Sequence, residues 1–297
     1  MSDEGAIGRR LRRDRLVTAV GLAILCLLAW AYVLTGAGMG MSPGAATTLA
    51  LFPHKAAVAP MAAQAPGMDM PGMDMADMPG MAATGPAAPA PWTPRLWLLT
   101  VAMWGTMMVA MMTPSATPAI LLYGRVRAQA GQQGRGAGLA PTVVFAAGYL
   151  LVWLGFSAAA AALQWILEQR GLVSSLSMGS QSRWLSAAVL VLTGAYQLSP
   201  FKSLCLTQCR SPTGFITRHW RAGTAGAVRL GVLHGGYCVG CCWVLMALLF
   251  VGGVMNLAWI AALTVLVMAE KLLPGGPWVA RTAGGLLILW GVATILV

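Results

Sequence analysis

Sulfur and one imidazole supply the chemistry that this 297-residue sequence can do. The densest cluster reads His-Gly-Gly-Tyr-Cys-Val-Gly-Cys-Cys-Trp, from His234 to Trp243. His234, Cys238 and Cys241 are spaced i, i+4 and i+7, so on a helix they fall within about 60° of one face. Cys242 flanks that face, and Met246 lies one turn further on. A Cys-x-x-Cys pair with a His one turn earlier is a soft-metal constellation. The same thiols could instead exchange disulfides, or simply pack as small apolar groups. Upstream, Cys205 and Cys209 form Cys-Leu-Thr-Gln-Cys-Arg-Ser-Pro. If that segment folds back, they join Cys238 and Cys241 in one thiolate site, with Lys202 and Arg210 favouring the thiolate form. Cys26 stands alone and reads as packing.

Thioethers make two further clusters. Met103, Met107 and Met111 recur every four residues, and Met108 and Met112 run beside them. Together they cover about half of a helix circumference. Pro114 and Pro118 follow, and the expectation is that they break this helix within the apolar stretch, as in segments that line a cavity. The alternative is ordinary core packing by a flexible side chain. The other cluster lies between Met61 and Met81, where Met61, Met68, Met70, Met73, Met75, Met78 and Met81 fall among Pro, Gly and Ala, with Met39 and Met41 upstream. Neutral thioethers prefer Cu(I) and do not form disulfides in an oxidising compartment. Asp69, Asp74 and Asp77 add attraction for a cation. Copper or silver capture is the chemistry this pattern fits; compositional drift is the plain alternative.

The elements that must hold these groups are apolar helices. Apolar residues make up 58% of the chain and charged residues 9%, against roughly 25% charged in soluble domains. That excludes an ordinary soluble fold, and unbroken apolar runs exclude an alternating barrel. The expected fold is an all-α polytopic membrane bundle. Its runs lie at about 16–34, 96–123, 142–167, 184–198, 230–254, 257–273 and 281–297, seven helices in all. With the N-terminus inside and the C-terminus outside, 15 Lys and Arg fall in inside segments and 4 in outside ones, as the positive-inside rule asks. The net charge of +11 is absorbed by that rule. No platform of aromatic and basic residues accompanies it, so nucleic acid is not expected as a partner. Three regions follow: a basic N-terminus with an uncleaved first helix over 1–35, a Met-rich external loop over 36–95 expected to be disordered, and a six-helix membrane domain over 96–297. Glu270 and Lys271 close the sixth run and read as interfacial charges, the sharper alternative being a counter-charge on a cation path.

Three stretches, MWGTMMVAMMTPS at 103–115, YQLSPFKSLCLTQCRSP at 196–212 and GVLHGGYCVGCCWVLMALLFVGGVMN through 256, with Glu270-Lys271-Leu272, resemble a bacterial family of unknown function described as predicted metal-binding integral membrane proteins. The resemblance covers roughly residues 95–275 and implies a membrane location and a metal role. The expected function is therefore binding of a soft metal, foremost Cu(I), and its passage across or within a bacterial inner membrane, by import or by delivery to a copper chaperone or membrane oxidase. A metal-tolerance or assembly factor uses the same ligands. A membrane thiol-disulfide oxidoreductase built on Cys238 and Cys241 would leave the Met-rich segment unexplained. No Walker A loop is present, so ATP-driven pumping by this chain alone is not expected.

Overall fold

Runs of apolar residues punctuated by Ser, Asn, Pro and Gly fold here as helices joined by short turns. The computed structural model describes residues 2–38, 47, 92–131, 139–175 and 178–296. The Met-rich segment, with Met68, Met70, Met73 and Met75, lies outside the described residues. The helices are α1 (Ser2–Leu34), α2 (Pro94–Gly131), α3 (Ala140–Gln169), α4 (Arg183–Gln197), α5 (Pro200–Arg210), α6 (Pro212–His219), α7 (Gly223–Ala247), α8 (Leu249–Gly252), α9 (Leu257–Leu272) and α10 (Gly276–Leu296). Among the described residues there is no strand, only an isolated bridge between Val173 and Ser180.

Side-chain caps set several boundaries. Ser199 Oγ accepts from the Lys202 N–H at 3.2 Å and Pro200 takes the first helical position, so α5 starts at a fixed point. Asn256 does the same for α9, accepting from the Ala258 N–H at 3.1 Å.

Among the described residues five helices are long and apolar enough to cross a membrane, and α4 with α5 would make a sixth if the pair, bent by 62°, counts as one span. Seven runs were expected. The difference lies in α9, which has only 16 residues, and in the bend, where Ser199 and Pro200 end one helix and start another. The helix carrying the Cys-x-x-Cys motif also begins earlier than its apolar run, at Gly223. The thiols therefore lie near the middle of a 30-residue apolar helix, Gly223–Gly252, and not near its start.

Two helix pairs pack backbone to backbone. A Cβ at Gly231 would stand 2.1 Å from the Phe145 carbonyl oxygen, so α7 presses directly on α3. Gly194 of α4 meets the Gly284 carbonyl of α10 in the same way, at 2.6 Å. Such close approach is open only to residues without a side chain. Gly235 also lies on the α3 interface, whereas Gly236 faces open space.

Pro114 and Pro118 do not break α2, which runs through both. A proline leaves the carbonyl four residues earlier without its helical donor. For Pro114 that carbonyl is Ala110, which accepts from Trp30 Nε1 at 3.2 Å and from Cys26 Sγ at 3.6 Å. Helix α1 thus docks on the carbonyl the proline frees, and Cys26 has a hydrogen-bonding role as well as a packing one.

Candidate metal centre

The fold brings the scattered sulfurs to one place in the core. Cys238, Cys241 and Cys242 are buried on α7, and α5 folds back against that helix as the sequence reading required. Cys209 of α5 lies close to Cys241, and Cys242 lies close to both Cys238 and Cys241. Cys205 rests on Gly240, where a Cβ would stand 3.0 Å from its sulfur. All six cysteines are free thiols. Two thiols bond back to their own helix: Cys242 Sγ donates to the Cys238 carbonyl at 2.9 Å and Cys241 Sγ to the same oxygen at 3.2 Å.

The Met stripe ends at this cluster. Met103, Met107, Met108, Met111 and Met112 are all fully buried. Cys242 Sγ donates to Met112 Sδ at 3.9 Å. Metal–thiolate bonds of ~2.3 Å place two sulfurs of one ion roughly 4 Å apart at a trigonal angle, so this pair needs little movement to share an ion. Tyr149 of α3 ties the helices together, with its hydroxyl 3.2 Å from Cys238 Sγ and 3.3 Å from the Met112 carbonyl.

His234 lies on the face the spacing assigned to it. Its ring packs among Phe145, Tyr149 and Phe215, with centroids at 6.1, 5.8 and 5.3 Å. Its buried Nδ1 has no hydrogen-bond partner.

Glu270 and Lys271 correct the interfacial reading, since they are only 1% and 6% exposed. Lys271 Nζ donates to Cys238 Sγ at 2.9 Å and to Ser115 Oγ at 3.3 Å. Glu270 faces the other way. It accepts from Lys202 Nζ at 2.6 Å and from Gln197 Nε2 at 2.7 Å, and Lys202 also donates to Gln197. Arg210 donates to the carbonyls of Glu270, Leu273 and Pro274 at 2.6, 2.7 and 2.9 Å. Glu270 lies in the last turn of α9, Leu273 caps it and Pro274 follows the cap. Lys202 and Arg210 therefore pin both ends of α5, and with it Cys209, to α9.

Lys271, Tyr149 and Ser115 escaped the sequence reading as site residues. An adjacent Glu-Lys pair inside an apolar run was the available signal for the first; nothing marked the other two. Met178, Met246 and Met255 are also buried in the same core.

The donor set is thiol, thioether and imidazole, which suits soft and borderline metal ions better than hard cations. Among the described residues no group of three or more His, Cys, Asp or Glu is arranged as a ready metal cage. Cys238 Sγ accepts from Lys271 Nζ, and the Cys241 and Cys242 thiols donate to the Cys238 carbonyl.

Residues 101–294 match the model of a family, PpoB2, described as copper chaperone. The match spans more than half of the chain and takes in the Met stripe, all five clustered cysteines, His234 and Lys271. The chain belongs to this copper chaperone family. No curated protein and no solved structure matches it.

Proposed function

We propose that the protein is a multi-span membrane carrier of Cu(I), with the ion as its cargo. The observation that carries this reading is the convergence of four thiols from α5 and α7 on the Met112 end of the Met stripe, where Cys242 meets Met112. Thioethers of Met103, Met107, Met108, Met111 and Met112 pass the ion along α2. Cys238, Cys241, Cys242 and Cys209 receive it, with Cys205 and His234 beside them. Binding strengthens from neutral thioether to thiolate, so transfer runs downhill toward the thiols. Two thiolates around one Cu(I) carry a net charge of −1, and Lys271 restores neutrality inside the bundle.

The arginine distribution supports a bacterial inner-membrane topology with the N-terminus in the cytoplasm. The Met-rich segment with Met68, Met70, Met73 and Met75 then lies outside and captures the ion. A copper chaperone or membrane oxidase is the natural recipient. The test is an anaerobic Cu(I) competition titration of the full chain in detergent. Tight binding in the wild type, lost in Cys238→Ser/Cys241→Ser, is expected. No tight binding by fully reduced protein would overturn the copper reading and favour thiol-disulfide exchange.

A further inference from the structure

The end of the Met stripe remote from the thiols carries a second buried cluster. Trp104 Nε1 donates to Gln164 Oε1 at 2.9 Å, and Gln164 Nε2 donates to Glu168 Oε1 at 2.8 Å. Trp92 Nε1 donates to Glu168 Oε2 at 3.1 Å. Trp104 and Gln164 are fully buried and Glu168 is 7% exposed. Both donors to the carboxylate are neutral. The two buried carboxylates among the described residues thus differ: Glu270 has the Lys202 ammonium against it, whereas Glu168 has no cation among its partners. A buried carboxylate without a counter-charge is costly, and each of its oxygens keeps a second lone pair for an acceptor role.

Four residues place this carboxylate along the bundle. Thr100 lies one turn before Trp104 on α2, and its buried hydroxyl has no hydrogen-bond partner. Met107 and Met108 lie three and four residues after Trp104, so they share its side of the helix. Trp92 is the first described residue after the Met-rich segment. Glu168 therefore stands beside the chain that leads into α2.

We infer that Glu168, Gln164 and Trp104 form a receiving site for monovalent soft cations, through which Cu(I) passes from the Met-rich segment to Met107 and Met108. The inference rests on the copper reading above. A carboxylate attracts the ion at long range but is a poor partner for soft cations, so it collects without trapping. The thioethers then take the ion over, with no change of oxidation state. Gln164 is a positioning residue: it holds the carboxylate and the indole in one hydrogen-bonded chain.

The test is stopped-flow loading of the full chain in lipid nanodiscs, with Cu(I) supplied anaerobically from a weak chelator and followed by the ultraviolet Cu–thiolate band. Glu168→Gln keeps the shape and hydrogen-bonding reach of the side chain but removes its charge. It is expected to load about tenfold more slowly, to the same final stoichiometry and affinity. Glu168→Asp is expected to load within about threefold of the wild-type rate, because charge is kept. Wild-type loading by Glu168→Gln would overturn the inference, as would equal slowing in both variants, which would make Glu168 only a structural pin for Trp92. Should Glu168→Gln fail to fold, Gln164→Leu decides the point: it cuts the tie between the carboxylate and Trp104, so loading is expected to slow, to the same final affinity, and loading at the wild-type rate overturns the inference. Absence of the Cu–thiolate band in the wild type would sink the copper reading itself, and the inference with it.

Discussion

Lys271→Met is the most informative single change at the thiol cluster. It removes an ammonium 2.9 Å from Cys238 Sγ while keeping an unbranched chain of similar length. At an effective dielectric constant of ~20, unit charges at this separation attract by about 6 kcal/mol. Desolvation of the ammonium cancels part of that, and severing a buried pair costs about 3–5 kcal/mol. Taking the lower figure, and about 1.4 kcal/mol per factor of ten, the Kd for Cu(I) rises on the order of 150-fold. The assay is competition against a calibrated Cu(I) chelator under anaerobic conditions, with a thermal melt to show that the variant is folded. Lys271→Arg keeps the charge and is expected to retain most of the affinity. A folded Lys271→Met protein that binds Cu(I) within about threefold of wild type would refute the idea that the ammonium balances the charge of the loaded site.

Replacing Met103, Met107 and Met111 together by Leu conserves volume and removes sulfur. The melting temperature should change little, each swap costing less than about 1.5 kcal/mol, while Cu(I) loading of the thiols slows; unchanged loading would make the stripe packing alone. Lys202→Met leaves Glu270 buried and unpaired and is expected to destabilise the bundle by about 3–5 kcal/mol. A double variant, Lys202→Met with Glu270→Leu, should recover most of this in the same denaturation assay. Gly231→Ala forces a Cβ against the Phe145 carbonyl, so α3 and α7 must separate. It should cost about 1–3 kcal/mol or more and lower the yield of folded protein on size-exclusion chromatography.

The Cys face of α7 was legible because one helical period aligns His234, Cys238 and Cys241 whatever the tertiary context. The return of α5 was conditional in the sequence and is explained by particular bonds. Ser199 and Pro200 start that helix, and Lys202 and Arg210 clamp it to α9. Lys271 was read as interfacial because charges at the end of an apolar run usually reach water. Here the end of α9 is covered by α5, and the thiol of Cys238 takes the ammonium instead. The proline break in α2 failed as an expectation for a similar reason. A lost helical bond need not end a helix when Trp30 and Cys26 satisfy the freed carbonyl. The sequence counted α9 among the spans because its apolar run looks continuous; the helix itself has only 16 residues, and run length alone does not separate such a helix from a crossing one. The role of Met68, Met70, Met73 and Met75 still rests on composition, since they lie outside the described residues.

The central claim is that thiolates from two helices, α5 and α7, hold Cu(I). X-ray absorption at the copper edge tests it most directly, on the full chain loaded with one equivalent of Cu(I). The account predicts a Cu(I) edge and a first shell of sulfur alone at roughly 2.3 Å, disrupted in Cys238→Ser/Cys241→Ser and altered in Cys209→Ser. A first shell of nitrogen or oxygen, or a sulfur shell unchanged by all of these substitutions, would contradict it.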